Sequence, residues 1–264
     1  MKLDGCSALI TGASAGIGRE FARQLAGRGR SLVLVARREQ RLNELRDDLK
    51  QHPNLTVHIR KTDLADLTQL KELVAWLERE KIDVDLLINN AGLGDLGPFA
   101  TSDPIRNEQM TLVNVVALTS LTRHLLPQMI DRKRGGILNV SSSAGFLPIP
   151  GFAVYAATKA YVTSFSEALR AELHGTGVSV CALCPGPVHT EFLEVAKRPG
   201  GWRESGPEFV HVAVAQVVRE ALGALEAGRP LVIPGIAMKL GMVLVRMTPM
   251  SILRWAARFS PRPS

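Results

Sequence analysis

Tyr155 and Lys159 stand four residues apart in VYAATKA, and Ser142 lies thirteen residues upstream of Tyr155 in SSSAG, residues 141–145. Positions i and i+4 share a helix face, so this phenol and this ammonium can converge. A phenol can hand a proton to an oxyanion, but its ordinary pKa near 10 makes the phenolate scarce at neutral pH. An ammonium within about 4–6 Å favours the phenolate and eases the transfer. The chemistry open to these residue types is proton exchange at an oxygen, the step that completes hydride addition to a carbonyl. The spacing alone is a weak signal, since most such pairs are surface neighbours. Only two tyrosines exist, however, and Tyr161 has Phe165 at the equivalent offset. Ser142 ends a predicted strand, where its hydroxyl can hydrogen-bond a substrate oxygen, with Ser141 and Ser143 as its neighbours.

Such groups need a frame, and the chain supplies one in alternation. Short apolar runs at 7–12, 31–36, 55–59, 84–89, 136–141, 178–183 and 229–233 read as strands buried on both faces. The first three start 24 residues apart, the length of a compact βαβ unit. Helical patterns fill the intervals at 17–29, 38–51, 66–80, 104–132, 153–175 and 211–227, with Gly29 and Gly175 as stops. Asp103-Pro104 reads as an N-cap followed by proline at the first helical position. The expected fold class is α/β, a doubly wound, Rossmann-like parallel sheet of about seven strands with helices on both faces. With no repeat or polar linker, residues 1–264 read as one domain with a helical C-terminal extension.

The first strand runs into TGASAGIG, residues 11–18, and then directly into a helix. Glycines allow a tight turn and close backbone approach, while a helix N-terminus offers free N–H donors to a pyrophosphate. Strand before and helix after are the context this motif requires.

With the G-x-x-x-G-x-G spacing and the YxxxK pair, the chain resembles the short-chain dehydrogenase/reductase family over roughly residues 5–190. The resemblance implies a carbonyl/alcohol oxidoreductase using a nicotinamide cofactor. In that family the cofactor loop corresponds to Gly12, Ser14, Gly16, Ile17 and Gly18, and the NNAG after the fourth strand to Asn89-Asn90-Ala91-Gly92. Asp63 and Leu64 match the pair facing the adenine; Pro185, Gly186, Val188 and Thr190 match the stretch at the nicotinamide end. The resemblance makes Tyr155 the acid/base, Lys159 its pKa modulator and ribose ligand, and Ser142 the substrate-positioning hydroxyl. It makes Asn114 a proton relay through a water held between its backbone and the lysine; the alternative from the residues alone is a satisfied core amide. It also implies a homodimer or homotetramer.

NAD-selective sites place a carboxylate at the end of the second strand to hold the ribose 2′-hydroxyl. Here Ala36 takes that place and is followed by Arg37 and Arg38. A guanidinium can bind a 2′-phosphate bidentately, so the expected cofactor is NADP(H) in preference to NAD(H).

Composition narrows the alternatives. The excess of 32 basic over 25 acidic residues, +7, is scattered, which suits a cationic cytoplasmic enzyme with an anionic cofactor better than a nucleic-acid binder. Three cysteines make no disulfide framework, and Cys181 and Cys184 face opposite sides of a strand, which argues against redox or metal use. Six histidines form no ligand spacing, so no metal is expected. No signal peptide or membrane span is legible. The rival readings are a non-catalytic NADP(H)-binding sensor and a sugar-nucleotide epimerase or dehydratase, the latter short of residues for a substrate domain.

The resemblance makes residues 191–210 the lid that folds over the substrate; Phe192, Leu193, Trp202 and Phe209 make that segment apolar, and Phe146, Leu147, Ile149 and Phe152 line the pocket if the nicotinamide lies beside Tyr155. That lining points to a lipophilic small-molecule substrate: acyl chains, steroid-like compounds or hydrophobic ketones. The tail, 234–264, is apolar and basic. At about 100° per residue Lys239, Arg246, Arg254 and Arg258 fall within about 120°, with Pro249 breaking the helix. Three positions for it are open: packed on the body or a partner subunit, laid on a membrane periphery, or covering the pocket.

Overall fold

The computed structural model describes residues 1–198 and 210–257. Seven strands, β1 Ser7–Thr11, β2 Ser31–Ala36, β3 Thr56–Lys61, β4 Leu86–Asn89, β5 Gly135–Val140, β6 Val178–Leu183 and β7 Leu231–Val232, pair in parallel in the order β3-β2-β1-β4-β5-β6-β7. The order in which strands are added reverses between β1 and β4, and their C-terminal ends open a crevice there, the usual ligand position in such sheets.

Side chains alternate across the sheet because the strand period is two. Ile10, Leu34 and Leu183 join one core with α1 (Gly16–Ala26), α2 (Glu39–Asp48) and α8 (Val214–Glu226). Leu9, Val33 and Val180 join the other with α3 (Leu67–Arg79), α5 (Leu118–Asp131) and α6 (Ala153–Glu172). The doubly wound expectation holds.

Several boundaries differ from the sequence reading, each for a local reason. The predicted helix at 104–132 is α4 (Pro104–Thr111), a π-helical segment Leu112–Ala117 and α5; a 3.6-residue pattern cannot show one wide turn. Asp103 does cap it, accepting from Ile105 N at 2.9 Å. The third strand extends to Lys61 because it is an edge strand whose side chains are only half buried, so Arg60 is tolerated and its guanidinium lies 4.8 Å from the Trp76 ring. The first helix stops at Ala26, since Gly29 N turns back to the Leu25 carbonyl at 2.7 Å. In the tail Pro249 separates α9 (Ile236–Met247) from α10 (Met250–Ala257). Cys6, Cys181 and Cys184 are free and buried, and burial pushes the Cys181 thiol up to about 12 and Cys184 to about 11.

Candidate active site

The crevice is a cleft of about 760 Å³. Its first wall is the turn after β1. Gly12 takes φ +67°, and a Cβ there would lie 2.8 Å from Asn90 Nδ2 and 2.9 Å from Ala91 Cα, so only glycine lets β1 and β4 close on each other. Asn90 ties the two together: its Nδ2 donates to Thr11 O at 2.9 Å, while Thr11 Oγ1 accepts from the backbone N of Asn90 and Ala91. Gly18 sits inside α1 against Asn90 and the Gly12 carbonyl and does not line the cleft.

At the end of β2, Arg37 lies 3.9 Å from Asp63, and Arg38 donates to Ser14 Oγ at 3.1 and 3.2 Å. Arg38 and Arg41 also hold Glu191, at 2.8 and 2.6 Å, which starts α7 (Glu191–Ala196) across the crevice. These cations hold Glu191 below the usual carboxylate range through hydrogen bonds first and charge second. Leu64, Ala91, Gly92, Pro185, Gly186, Val188 and Thr190 line the same cleft, as do Gly16 and Ile17.

The residues expected to carry the chemistry sit on α6 and just past the end of β5. Tyr155 is buried, its ring centroid 5.0 Å from that of Phe152 and 5.3 Å from that of Phe192. One turn on, the Lys159 ammonium lies 5.6 Å from the Tyr155 ring centroid and donates to Val140 O at 2.8 Å. Burial pushes the lysine down to about 8. A Cβ on Gly92 would lie 3.4 Å from Lys159 Nζ and 3.5 Å from Asn114 Oδ1, which places the NNAG backbone between the two.

Ser141, Ser142 and Ser143 all border the cleft, but their hydroxyls are used differently. Ser141 is buried, its hydroxyl donating to Lys159 O at 2.8 Å and 2.7 Å from Thr163 Oγ1, so it serves the α6 joint. Ser142 lines the cleft and caps the following turn, accepting from Ala144 N at 3.1 Å. A second joint lies deeper: Asn89 Nδ2 donates to Asn139 Oδ1, and Asn139 Nδ2 to Ser166 Oγ on α6, both at 2.9 Å.

Asn114 sits in the π-helical segment, a local geometry common at functional sites. Its side chain is engaged: Oδ1 accepts from Leu93 N at 2.8 Å, and Nδ2 donates to Leu93 O and Thr158 Oγ1 at 3.0 Å. The amide therefore holds the loop after β4 against α6 and does not itself line the cleft.

Other positions escaped the sequence reading. Arg106 lines the cleft and donates to Gly94 O at 3.0 Å; burial, then Arg37, pushes its pKa down. Met238 and Met242 of α9 form part of the wall, so the inner face of the tail covers the cleft. A basic residue in a plain helix pattern gave no signal, and covering the pocket was one of three positions open for the tail, with neither methionine singled out. Leu147, Ile149, Phe152, Phe192 and Leu193 line the cleft, whereas Phe146 lies under the Arg246 guanidinium at 5.6 Å. Trp202, Phe209 and Arg258 lie outside the described residues. Among the described residues no cluster of His, Cys, Asp or Glu gathers to hold a metal.

Comparison with known proteins follows this geometry. A family model described as short chain dehydrogenase matches residues 7–199. A short chain dehydrogenase of Pseudocercospora fijiensis is 39% identical over 193 residues, 72% of this chain and 62% of that protein's length. The structure of a short-chain dehydrogenase from Sphingobium yanoikuyae in complex with NADPH matches with TM-score 0.81 at 32% identity, covering 97% of this chain and 96% of that one. A bulky-bulky ketone specific alcohol dehydrogenase from Comamonas testosteroni matches with TM-score 0.77 at 30% identity, covering 97% and 99%.

Proposed function

This chain belongs to the short chain dehydrogenase family and is an oxidoreductase of that family; on that premise we propose that it interconverts a lipophilic carbonyl compound and its alcohol with NADP(H). The observation that carries the reading is one cleft lined by the glycine turn, Arg37, Arg38, Ser142, Tyr155 and Lys159 together. The residues fit such a cofactor: a cradle that a Cβ would obstruct at Gly12, cations and no carboxylate at the end of β2, and room of about 760 Å³. When bound, the nicotinamide supplies or accepts the hydride.

The chain's own groups do the rest. In the reducing direction the Tyr155 hydroxyl gives its proton to the substrate oxygen as that oxygen gains charge, and in the oxidising direction it takes one back. Ser142 Oγ hydrogen-bonds the same oxygen and fixes its position. Lys159, charged below pH about 8, favours the phenolate left behind and has donors beyond the one used on Val140 O for a ribose. Asn114 is assigned the relay that returns the proton, through its backbone within the π-helical segment.

Substrate class rests on the apolar part of the cleft lining. Leu147, Ile149, Phe192, Met238 and Met242 present apolar surface there, with methionines able to adapt to bulky shapes. The Comamonas relative's name, with its bulky-bulky ketones, supports the same class. Mixing the protein with NADPH and a panel of acyl, steroidal, aromatic and sugar carbonyl compounds is expected to show loss of reduced-cofactor absorbance, fastest with hydrophobic ketones. Turnover confined to sugars or small hydrophilic aldehydes overturns the substrate assignment.

Cofactor choice has its own test. Removing a charged bidentate hydrogen-bond partner of a phosphate costs about 1.5–3 kcal/mol. Arg38→Ala and Arg37→Ala are each expected to lower the NADPH/NADH ratio of kcat/KM by about 10- to 100-fold. An unchanged ratio in the double variant removes the 2′-phosphate from this corner.

A further inference from the structure

α9 uses its two faces for different purposes. Met238 and Met242 are turned inward and buried on the cleft. Ile236, Leu240, Val243, Leu244 and Met247 fall within about 100° of arc on the opposite side of the helix. All five are exposed, from 48% for Val243 to 81% for Ile236. Lys239 and Arg246, nearly in line on the helical projection, form one margin of this stripe. α10 continues the surface with Met250, Ile252 and Trp255, 47–61% exposed, and with the exposed Arg254. A soluble surface seldom gathers so many large apolar side chains without a partner.

Charge decides which partner. From Pro234 onward the sequence contains five Lys or Arg and no Asp or Glu. In a two-fold contact of this segment with its copy, the same cations would meet each other with no carboxylate in either segment to answer them. An anionic, apolar-cored surface answers both features. We propose that the outward face of α9 and α10 docks on an anionic phospholipid bilayer, its apolar side chains at the headgroup–acyl boundary and Lys239, Arg246 and Arg254 at the phosphates. The helices lie in the plane of the interface, since none among the described residues is long and apolar enough to cross a membrane. Trp255 adds an amphipathic ring of the kind favoured at that depth.

The test uses the full chain and measures binding, independently of turnover. In flotation with phosphatidylcholine/phosphatidylglycerol vesicles at low salt, the protein is expected to float at least tenfold more than with phosphatidylcholine alone, and to be released at about 0.5 M salt. Leu240→Glu/Leu244→Glu is expected to lose that binding at least tenfold while keeping NADPH binding and Tm. Trp emission should shift to the blue on anionic vesicles, and Trp255→Phe should lack the shift. Failure of the wild type to float, equal flotation with neutral vesicles, or unimpaired flotation of the double Glu variant each overturns the proposal. So does a wild type that ignores vesicles but loses oligomer mass, by light scattering, on the double Glu substitution; the face then belongs to a second copy.

Discussion

Tyr155→Phe is expected to lower NADPH-dependent turnover by about 10²- to 10⁴-fold, the range a positioned general acid contributes. NADPH binding should stay within a few-fold of wild type. The ring packs against those of Phe152 and Phe192, and phenylalanine keeps both contacts. What goes is the proton at the substrate oxygen. Stopped-flow measurement of cofactor oxidation, with Tm and NADPH titration as controls, separates this from misfolding. A Phe variant within tenfold of wild type would show that the proton comes from elsewhere and would sink the assignment of Tyr155.

Lys159→Met should be nearly as damaging, and its signature is a pH profile. The ammonium is largely taken out of water, and that desolvation pushes its pKa from 10.5 to about 8. Below about 8 it carries three N–H donors, of which Val140 O takes one; above, it is a neutral amine. In the wild type kcat/KM for NADPH is therefore expected to fall as pH rises through about 8, since this parameter reports groups of the free enzyme. Lys159→Met should be at least 10²-fold slower at pH 7 and lack that inflection. Lys159→Arg should not restore activity, because a planar five-donor fork does not fit a site shaped for a compact ammonium.

The same shift fixes a stability signature of opposite direction. The folded-state pKa lies below the unfolded value near 10.4, so between about pH 8 and 10.4 the unfolded chain binds more protons than the folded one. Stability of the wild type relative to Lys159→Met should rise across that window and be flat below it. Denaturation midpoints at pH 7, 9 and 10.5 read this directly. A relative stability that falls with pH would mean the ammonium is favoured by folding, contrary to its burial.

Much of this site was legible because its requirements are local. A turn that must pass close to another backbone demands glycine, and a pair one helical turn apart is visible as a spacing. Gly12, Tyr155 and Lys159 therefore stood out in the sequence, and so did the β2 terminus with its two arginines. Residues whose roles depend on which elements meet did not. Nothing near Arg106 marks it as a cleft residue; only the folding of α4 beside Gly94 brings it there. Met238 and Met242 enter because the tail turns back over Gly186, a docking that no periodicity encodes. The π-helical turn at Asn114 was hidden for a similar reason, since a single wide turn leaves the apolar pattern on either side unchanged. Ser141, Ser142 and Ser143 were adjacent candidates and all border the cleft; only the fold shows the Ser141 hydroxyl spent on α6 and that of Ser142 on the turn that follows.

The polar joints between β5 and α6 carry one more consequence. Ser141 and Asn139 engage Lys159 O and Ser166 Oγ on the helix, two anchor points that a shift of one residue along the sheet would break simultaneously. The alignment of phenol, ammonium and serine hydroxyl is thus settled when the chain folds, and a ligand arriving later meets a jig already locked to its dowels.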